Sequence, residues 1–313
     1  MKARVTGDWL SELETLVGHF EARKSRARER SLVVDGSYWY FALLGLKLDA
    51  DTISIEPLVR ISRVVEPPGE IELAGACKNP AIFGAVARYS HSIEFELAVR
   101  RNPERDQDAF NLAWWIVSAL RVRTLAEILV PAVSDRSWST IAGVDDKSCH
   151  VQLLEDNPMS RKFQGDTIVR QADVDWIEEN LLRFAGLLEN PRFRLAVDSL
   201  CSHHQLVSVR MMGPMLWSGI ESLFSVSAEL RFRLSALIAA TLRERGQQRI
   251  DLYHRVKQLY DFRSRLVHGS AESEEVIAAH ITEVRALLSE LLVIFTEAGK
   301  IHDDSTFESL LFG

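Results

Sequence analysis

The chain is poor in the features that would place it in many functional classes. Its 313 residues include three cysteines, Cys77, Cys149 and Cys201; widely spaced and odd in number, they argue against a disulfide framework. No apolar run approaches the roughly 18 residues that a bilayer crossing needs. The longest candidates, 113–120 and 287–295, are broken by Ser118, Ser289 and Glu290. The first residues, Met1 to Trp9, lack the apolar stretch of a signal peptide, so the cytosol is the expected location. There is no glycine-rich phosphate loop, no internal repeat and no nucleophile turn that would mark a Ser-His-Asp hydrolase. Cys201-x-His203-His204 and Cys149-His150 set soft ligands side by side, but no second paired cluster completes a tetrahedral site, so neither a metal nor a cofactor is expected.

What is present is an ordinary globular composition, 47% hydrophobic and 26% charged, long enough for two domains with buried cores. The net charge of −7 counts against a nucleic-acid partner at first sight, but its distribution matters more than its sum. From Arg231 to Arg265 nine Lys or Arg face three acids, and from Glu272 onward nine acids face two bases. That segregation suits a local phosphate-binding groove. It equally suits two helices that neutralise each other.

The pattern over residues 8–26 is that of an amphipathic helix, with Trp9, Leu10, Leu13, Leu16, Val17 and Phe20 on one face, running into a basic patch at Arg23, Lys24, Arg26, Arg28 and Arg30. The patch reads as a solvated helix end, with RNA contact as the alternative. From Leu32 to Arg101 strand patterns prevail. Tyr38–Leu44 is aromatic and apolar as buried strands are; Ile53 and Ile55 alternate with polar neighbours, and Val59 and Ile61 follow Pro57. Residues 92–100 place Ile93, Phe95, Leu97 and Val99 on one face and mostly charges on the other, which predicts a half-exposed antiparallel strand. A short helix is expected over 80–89 and a long one over 106–130, with Trp114 and Trp115 in the core. Residues 133–170 read as connecting structure with a strand at 150–154.

Beyond this point the pattern is helical: 176–188, 193–203, 206–224, 229–243, 250–268 and 273–298. Each segment has one apolar stripe, and the short connections imply antiparallel neighbours in a bundle. The expected fold class is therefore α+β, with a β-rich mixed domain over 1–170, of unknown role (sensor or regulatory), followed by an all-α antiparallel helical bundle over 171–313.

The chemistry-bearing constellation is Tyr260-Asp-Phe-Arg263-Ser264-Arg265-Leu-Val-His268-Gly269. Arg263 occupies a step of the apolar stripe formed by Leu252, Val256, Leu259, Tyr260 and Val267, where a guanidinium must meet a carboxylate or a polar cleft. His268 lies about 140° further round, beside the negative end of the helix dipole, which favours its protonated form. Gly269 supplies the left-handed residue that commonly ends a helix. Arginine can hold a phosphate bidentately, and histidine, with a reference pKa of about 6.5, can move a proton near neutral pH. The plainer alternative is a salt-bridged arginine and a capping histidine. Upstream, Trp217, Ile220, Glu221 and Phe224 share one face, so Glu221 points inward and pairs with Arg263 first or Arg265 second; a structural role suits it better than acid–base work. His280, between Ile277, Ile281 and Val284, reads as a core or interface histidine.

The stretch Leu259–Gly269, together with Trp217–Phe224, resembles the signature of the HEPN superfamily, in its Apea-like branch, over roughly residues 206–298. The resemblance implies a HEPN-like bundle and a metal-independent, toxin-like endoribonuclease of antiviral defence. On that resemblance RNA would be cut by its own 2′-hydroxyl at a site of Arg263, Ser264 and His268, supported by Glu221, Arg265, Tyr260 and Asp261. It implies a homodimer through the C-terminal bundle with the motif at the two-fold axis. A partner protein or trigger would act at the N-terminal domain, and no membrane is involved. The alternative is a dimeric scaffold, or an RNA- or nucleotide-binding module, without turnover.

Overall fold

The structure, a computed structural model, describes residues 8–31, 37–55, 59–102, 104–155, 167–224, 226, 229–269 and 272–313. In chain order its first elements are α1 (Asp8–Ser31), β1 (Tyr38–Leu43), β2 (Lys47–Leu48), β3 (Thr52–Ile55), β4 (Val59–Arg63), α2 (Glu70–Ala76), α3 (Pro80–Val86), β5 (Phe95–Arg100) and α4 (Asp106–Thr124). Next come β6 (Ala132–Ser134), β7 (Val151–Leu153), β8 (Ile168–Val169), α5 (Gln171–Leu187), α6 (Pro191–Ser202), α7 (Val209–Phe224), α8 (Leu230–Leu242), α9 (Gln247–Val267), α10 (Glu274–Ala298) and α11 (Asp304–Phe312). The fold is mixed α+β: an N-terminal antiparallel sheet region followed by a C-terminal helical region. No helix among the described residues is long and apolar enough to cross a membrane. The chain separates into two compact units, one of Met1–Leu46, Ala50–Ala113 and Leu129–Pro158, the other of Lys47–Asp49, Trp114–Ile128 and Met159–Gly313.

The first unit is built on a six-stranded sheet in the order β3-β4-β5-β1-β6-β7. The β-branched and aromatic content of β1 and β5 suits its centre, where Tyr38 pairs with Arg100 and Leu43 with Phe95. β5 is not half-exposed as its alternation predicts: residues 95–99 are all buried. The reason is Glu96, which points inward and accepts hydrogen bonds from the Ser137 hydroxyl and the Trp138 N–H, both at 2.7 Å. A charge pattern thus marks an internal polar anchor, not a wet face. Trp138, fully buried, donates from its indole to the Tyr40 carbonyl at 3.0 Å.

The basic end of α1 is not a free cationic surface. Arg23 meets Glu72 at 2.9 Å, Arg26 and Arg30 share Glu66, and Lys24 and Arg28 share Asp145. The two arginines hold the Glu66 carboxyl well below its usual range, at about 2. Of the apolar face expected on this helix, the side chains of Trp9, Leu10, Leu13 and Leu16 lie outside the described residues, and Val17 is exposed. Pro57 and residues 156–166 of the expected connecting stretch also lie outside them.

In the second unit α4 ends at Thr124, short of the expected stop at Val130, because Leu125 takes a left-handed φ of 58°. The chain that follows is clamped from inside: Arg121 donates to the Ile128 carbonyl and Arg285 to that of Leu125. Trp114, expected in the core, is 45% exposed; its indole lies under the Arg121 guanidinium at 5.5 Å. Helices α5 to α10 follow their sequence patterns. Asn190 caps α6 with Pro191 at its first position, Ser273 caps α10, and Gly299 ends it at φ 67°. Their stripes bury Trp217, Ile220, Ile238, Val284, Leu288 and Phe295 completely, each worth about 1.5–3 kcal/mol over exposure. Gly219 lets α7 approach α6: a Cβ there would lie 2.8 Å from that of Ser199.

Candidate functional site

Helix α9 carries the motif. It starts after Gly246, at φ 143°, and its inner face buries Val256, Leu259 and Leu266. Val267, assigned to that stripe from sequence, is 52% exposed; Leu266 takes its place. Arg263 stands on the same inner side, three quarters buried, with its guanidinium 3.5 Å from the Glu221 carboxylate of α7. Glu221 is similarly placed, its side chain 24% exposed. This is an ion pair without a formed hydrogen bond. Arg263 Nε and Glu221 Oε1 are both buried and have no hydrogen-bond partner among the described residues. The guanidinium also lies over the Tyr260 ring, 5.6 Å from its centre, and that ring abuts Trp217 edge-on. Burial, and then the Glu221 charge, raise the pKa of the Tyr260 hydroxyl, keeping it a neutral donor.

The other residues singled out from sequence are placed less uniformly. Ser264 is half-buried, and its carbonyl accepts the His268 N–H at 3.1 Å. His268 is the exposed capping residue of α9, followed by Gly269 at φ 84°. Because α9 is regular to Val267, Arg263 and His268 leave it about 140° apart. No hydrogen bond or ion pair links them among the described residues. Arg265 pairs with Glu272 at 3.6 Å rather than with Glu221. Asp261 pairs with Arg231 of α8 at 2.5 Å. Glu221, Tyr260 and Arg263 therefore converge, while Asp261, Arg265 and His268 face outward on the same helix. Sequence reasoning did not single out Arg231 or Glu272; their partners lie on other segments, and the only signal was opposite charge.

Beside the motif, α9 and α10 enclose a groove of about 440 Å³ lined by Arg255, Asp261, Phe262, Arg265, His280 and Glu283 among others. His280 is a core residue, 4% exposed, as its apolar stripe implied. Its Nε2 accepts the Trp217 indole N–H at 3.3 Å, and burial pushes its pKa down to about 4. The segregated charges meet in the fold: Arg243 pairs with Glu290, Arg255 with Glu283 and Arg265 with Glu272. Cys201, His203 and His204 are buried, and burial holds His203 near 3. No group of three or more potential ligands that could hold a metal ion occurs among the described residues.

Chemically, the arrangement supplies a largely desolvated guanidinium whose Nε hydrogen is unspent, and a water-accessible imidazole one turn on. Nε itself is closed to solvent, but a quarter of the Arg263 side chain is not, and the imidazole of His268 is exposed. No family model, no curated protein and no solved structure matches the chain.

Proposed function

We propose that this protein is a metal-independent endoribonuclease of the HEPN type, a toxin-like cytoplasmic effector of antiviral defence. The observation that carries the reading is the quarter-exposed guanidinium of Arg263, set against Glu221 and Tyr260 in a motif that ends in an exposed histidine. Arg263 would bind a non-bridging oxygen of the scissile phosphate and offset the charge that builds on it. His268 would take the proton of the substrate's 2′-hydroxyl or return one to the departing 5′-oxygen. Ser264 would hold the phosphate or orient the imidazole.

The 140° divergence of Arg263 and His268 on one helix suits a homodimer, in which two copies of the motif line one cleft around the two-fold axis. Exposed Met211, Val267 and Val276, on the three helices around the motif, give that interface apolar area. The first unit would recruit a partner protein or receive a trigger. The test is cleavage of RNA in excess chelator, with end-group analysis. The expected fragments carry a 2′,3′-cyclic phosphate and a 5′-hydroxyl, and replacing the 2′-hydroxyl at the cut by hydrogen abolishes cleavage while binding persists. Chelator-sensitive activity or 5′-phosphate ends would overturn the mechanism.

A second reading is favoured by one contact: Glu221 already engages Arg263, as a structural ion pair would. On that reading the bundle is a dimeric scaffold, or an RNA- or nucleotide-binding module, without turnover. Expression toxicity that His268→Ala leaves unchanged, with RNA still bound and uncut, would select it.

A further inference from the structure

Two of the three cysteines meet in the first unit. Cys77, directly after α2, and Cys149, two residues before β7, are partners in an isolated parallel β-bridge. The Cys149 N–H donates to the Ala76 carbonyl and the Lys147 N–H to that of Gly75, both at 3.2 Å. Bridge partners stand one strand spacing apart, about 4.8 Å, and project their side chains to the same side of the ladder. That separation falls within the span of about 4.4–6.8 Å over which Cα atoms accept a disulfide. Both thiols are free and buried in the same apolar cluster. Cys149 Sγ also lies 3.3 Å from the Ser134 hydroxyl.

We propose that Cys77 and Cys149 form one oxidative-modification site, closed by hydrogen peroxide into a reversible intramolecular disulfide. Cys77, 5% exposed against 0% for Cys149, is the residue nearer the surface and is taken as the one a small oxidant meets first. Its thiolate attacks the peroxide, the O–O bond breaks, and one oxygen leaves as water with the thiol proton, giving a sulfenic acid at Cys77. The Cys149 sulfur then displaces the sulfenic hydroxyl, which departs as a second water carrying the Cys149 proton. Two thiols are thereby oxidised by two electrons and one peroxide is reduced to two waters.

Burial raises the pKa of Cys77 and pushes that of Cys149 up to about 12, so few thiolates exist at neutral pH and closure is slow. The product adds to the backbone hydrogen bonds at this bridge a covalent tie across about 70 residues of chain, a span for which disulfides restrict the unfolded state strongly. The inference is independent of the ribonuclease reading and involves no residue of that site.

The test is to expose the full-length protein to hydrogen peroxide, block remaining thiols in denaturant, and map its peptides without reduction. The expected result is a loss of two hydrogen masses, a linked peptide containing Cys77 and Cys149, recovery with dithiothreitol, and Cys201 still alkylated. Cys77→Ser and Cys149→Ala should each abolish the linked peptide. Thiols that stay reduced, or that end as separate sulfinic acids or as links between chains, would overturn the proposal.

Discussion

Arginines crowd two helices, the end of α1 and the length of α9, and their fates differ. In α1 the acids come to the arginines. Glu72, its side chain 1% exposed, is held by Arg23 at 2.9 Å and also accepts the Gly69 N–H at 2.7 Å. In α9 Arg255 and Arg265 pair with Glu283 and Glu272, but Arg263 meets Glu221 at 3.5 Å with donor and acceptor left unsatisfied. A run of basic residues in sequence therefore says little about nucleic acid. What separates the firm clamp at Arg23 from the looser pair at Arg263 is the burial of the acid and the hydrogen bonds formed to it.

The contrast can be broken most sharply at the motif. His268→Ala should lower RNA cleavage roughly 10²- to 10⁴-fold, the scale of a general acid or base. Arg263→Ala should lose a comparable factor and also weaken RNA binding, because it removes a charge-assisted phosphate contact. Titration and single-turnover rates separate the two, and identical behaviour would remove the division of labour.

On the α1 side, Arg23→Ala should cost about 3 kcal/mol in urea unfolding, since it strands a buried carboxylate. Arg28→Ala, in an exposed pair with Asp145, should stay within about 0.5 kcal/mol. Equal losses would show that burial does not rank these pairs.

Two buried groups, one in each unit, should respond oppositely to pH. Burial pushes Glu96 up to about 7 from 4.5, so the folded chain keeps its proton longer than the unfolded chain. That contribution is full below about 4.5 and is lost as pH rises through 7. Burial pushes His280 down from 6.5 to about 4, so its contribution is full above 6.5 and is lost as pH falls through 4. Each is worth at most about 3 kcal/mol. Stability measured from pH 4 to 8 should lose the first slope in Glu96→Gln and the second in His280→Gln. An unchanged profile in either variant would reassign that slope.

A smaller effect than at Arg23 is expected at Glu221. Because the pair is part-exposed, Glu221→Ala should cost about 1 kcal/mol, and Glu221→Gln less, since its amide oxygen still accepts a hydrogen bond. If both variants melt with the parent, Glu221 does not hold Arg263.

Much of the fold was legible because periodicity is a direct imprint of burial. The aromatic run of β1 and the stripes of α5 to α10 reappear within a few residues of their expected bounds. The proximity of Glu221 and Arg263 was legible for the same reason, as both interrupt apolar faces of neighbouring helices. The misreadings come from residues whose neighbours are remote in sequence. Glu96 looked like a wet face because the loop that buries it lies about 40 residues away. Trp114 looked like core because hydrophobicity does not say which side of a helix is covered. α11 went unread because only Phe307 of its nine residues is buried. The angle of about 140° between Arg263 and His268 followed from helical geometry, but what stands opposite the histidine is not encoded in a single chain's pattern.

Gly219 carries a consequence for tolerance. With no room for a methyl group against Ser199, the separation of α6 and α7 is fixed by an atom that is missing. Glu221 stands two residues further along the same helix, so any side chain at 219 would move the carboxylate as it pushed α7 outward. The alignment of a charged pair is thus inherited from a contact on the far side of the helix. The least conspicuous residue in α7 is where the arginine's environment is most open to alteration by a change that never touches it.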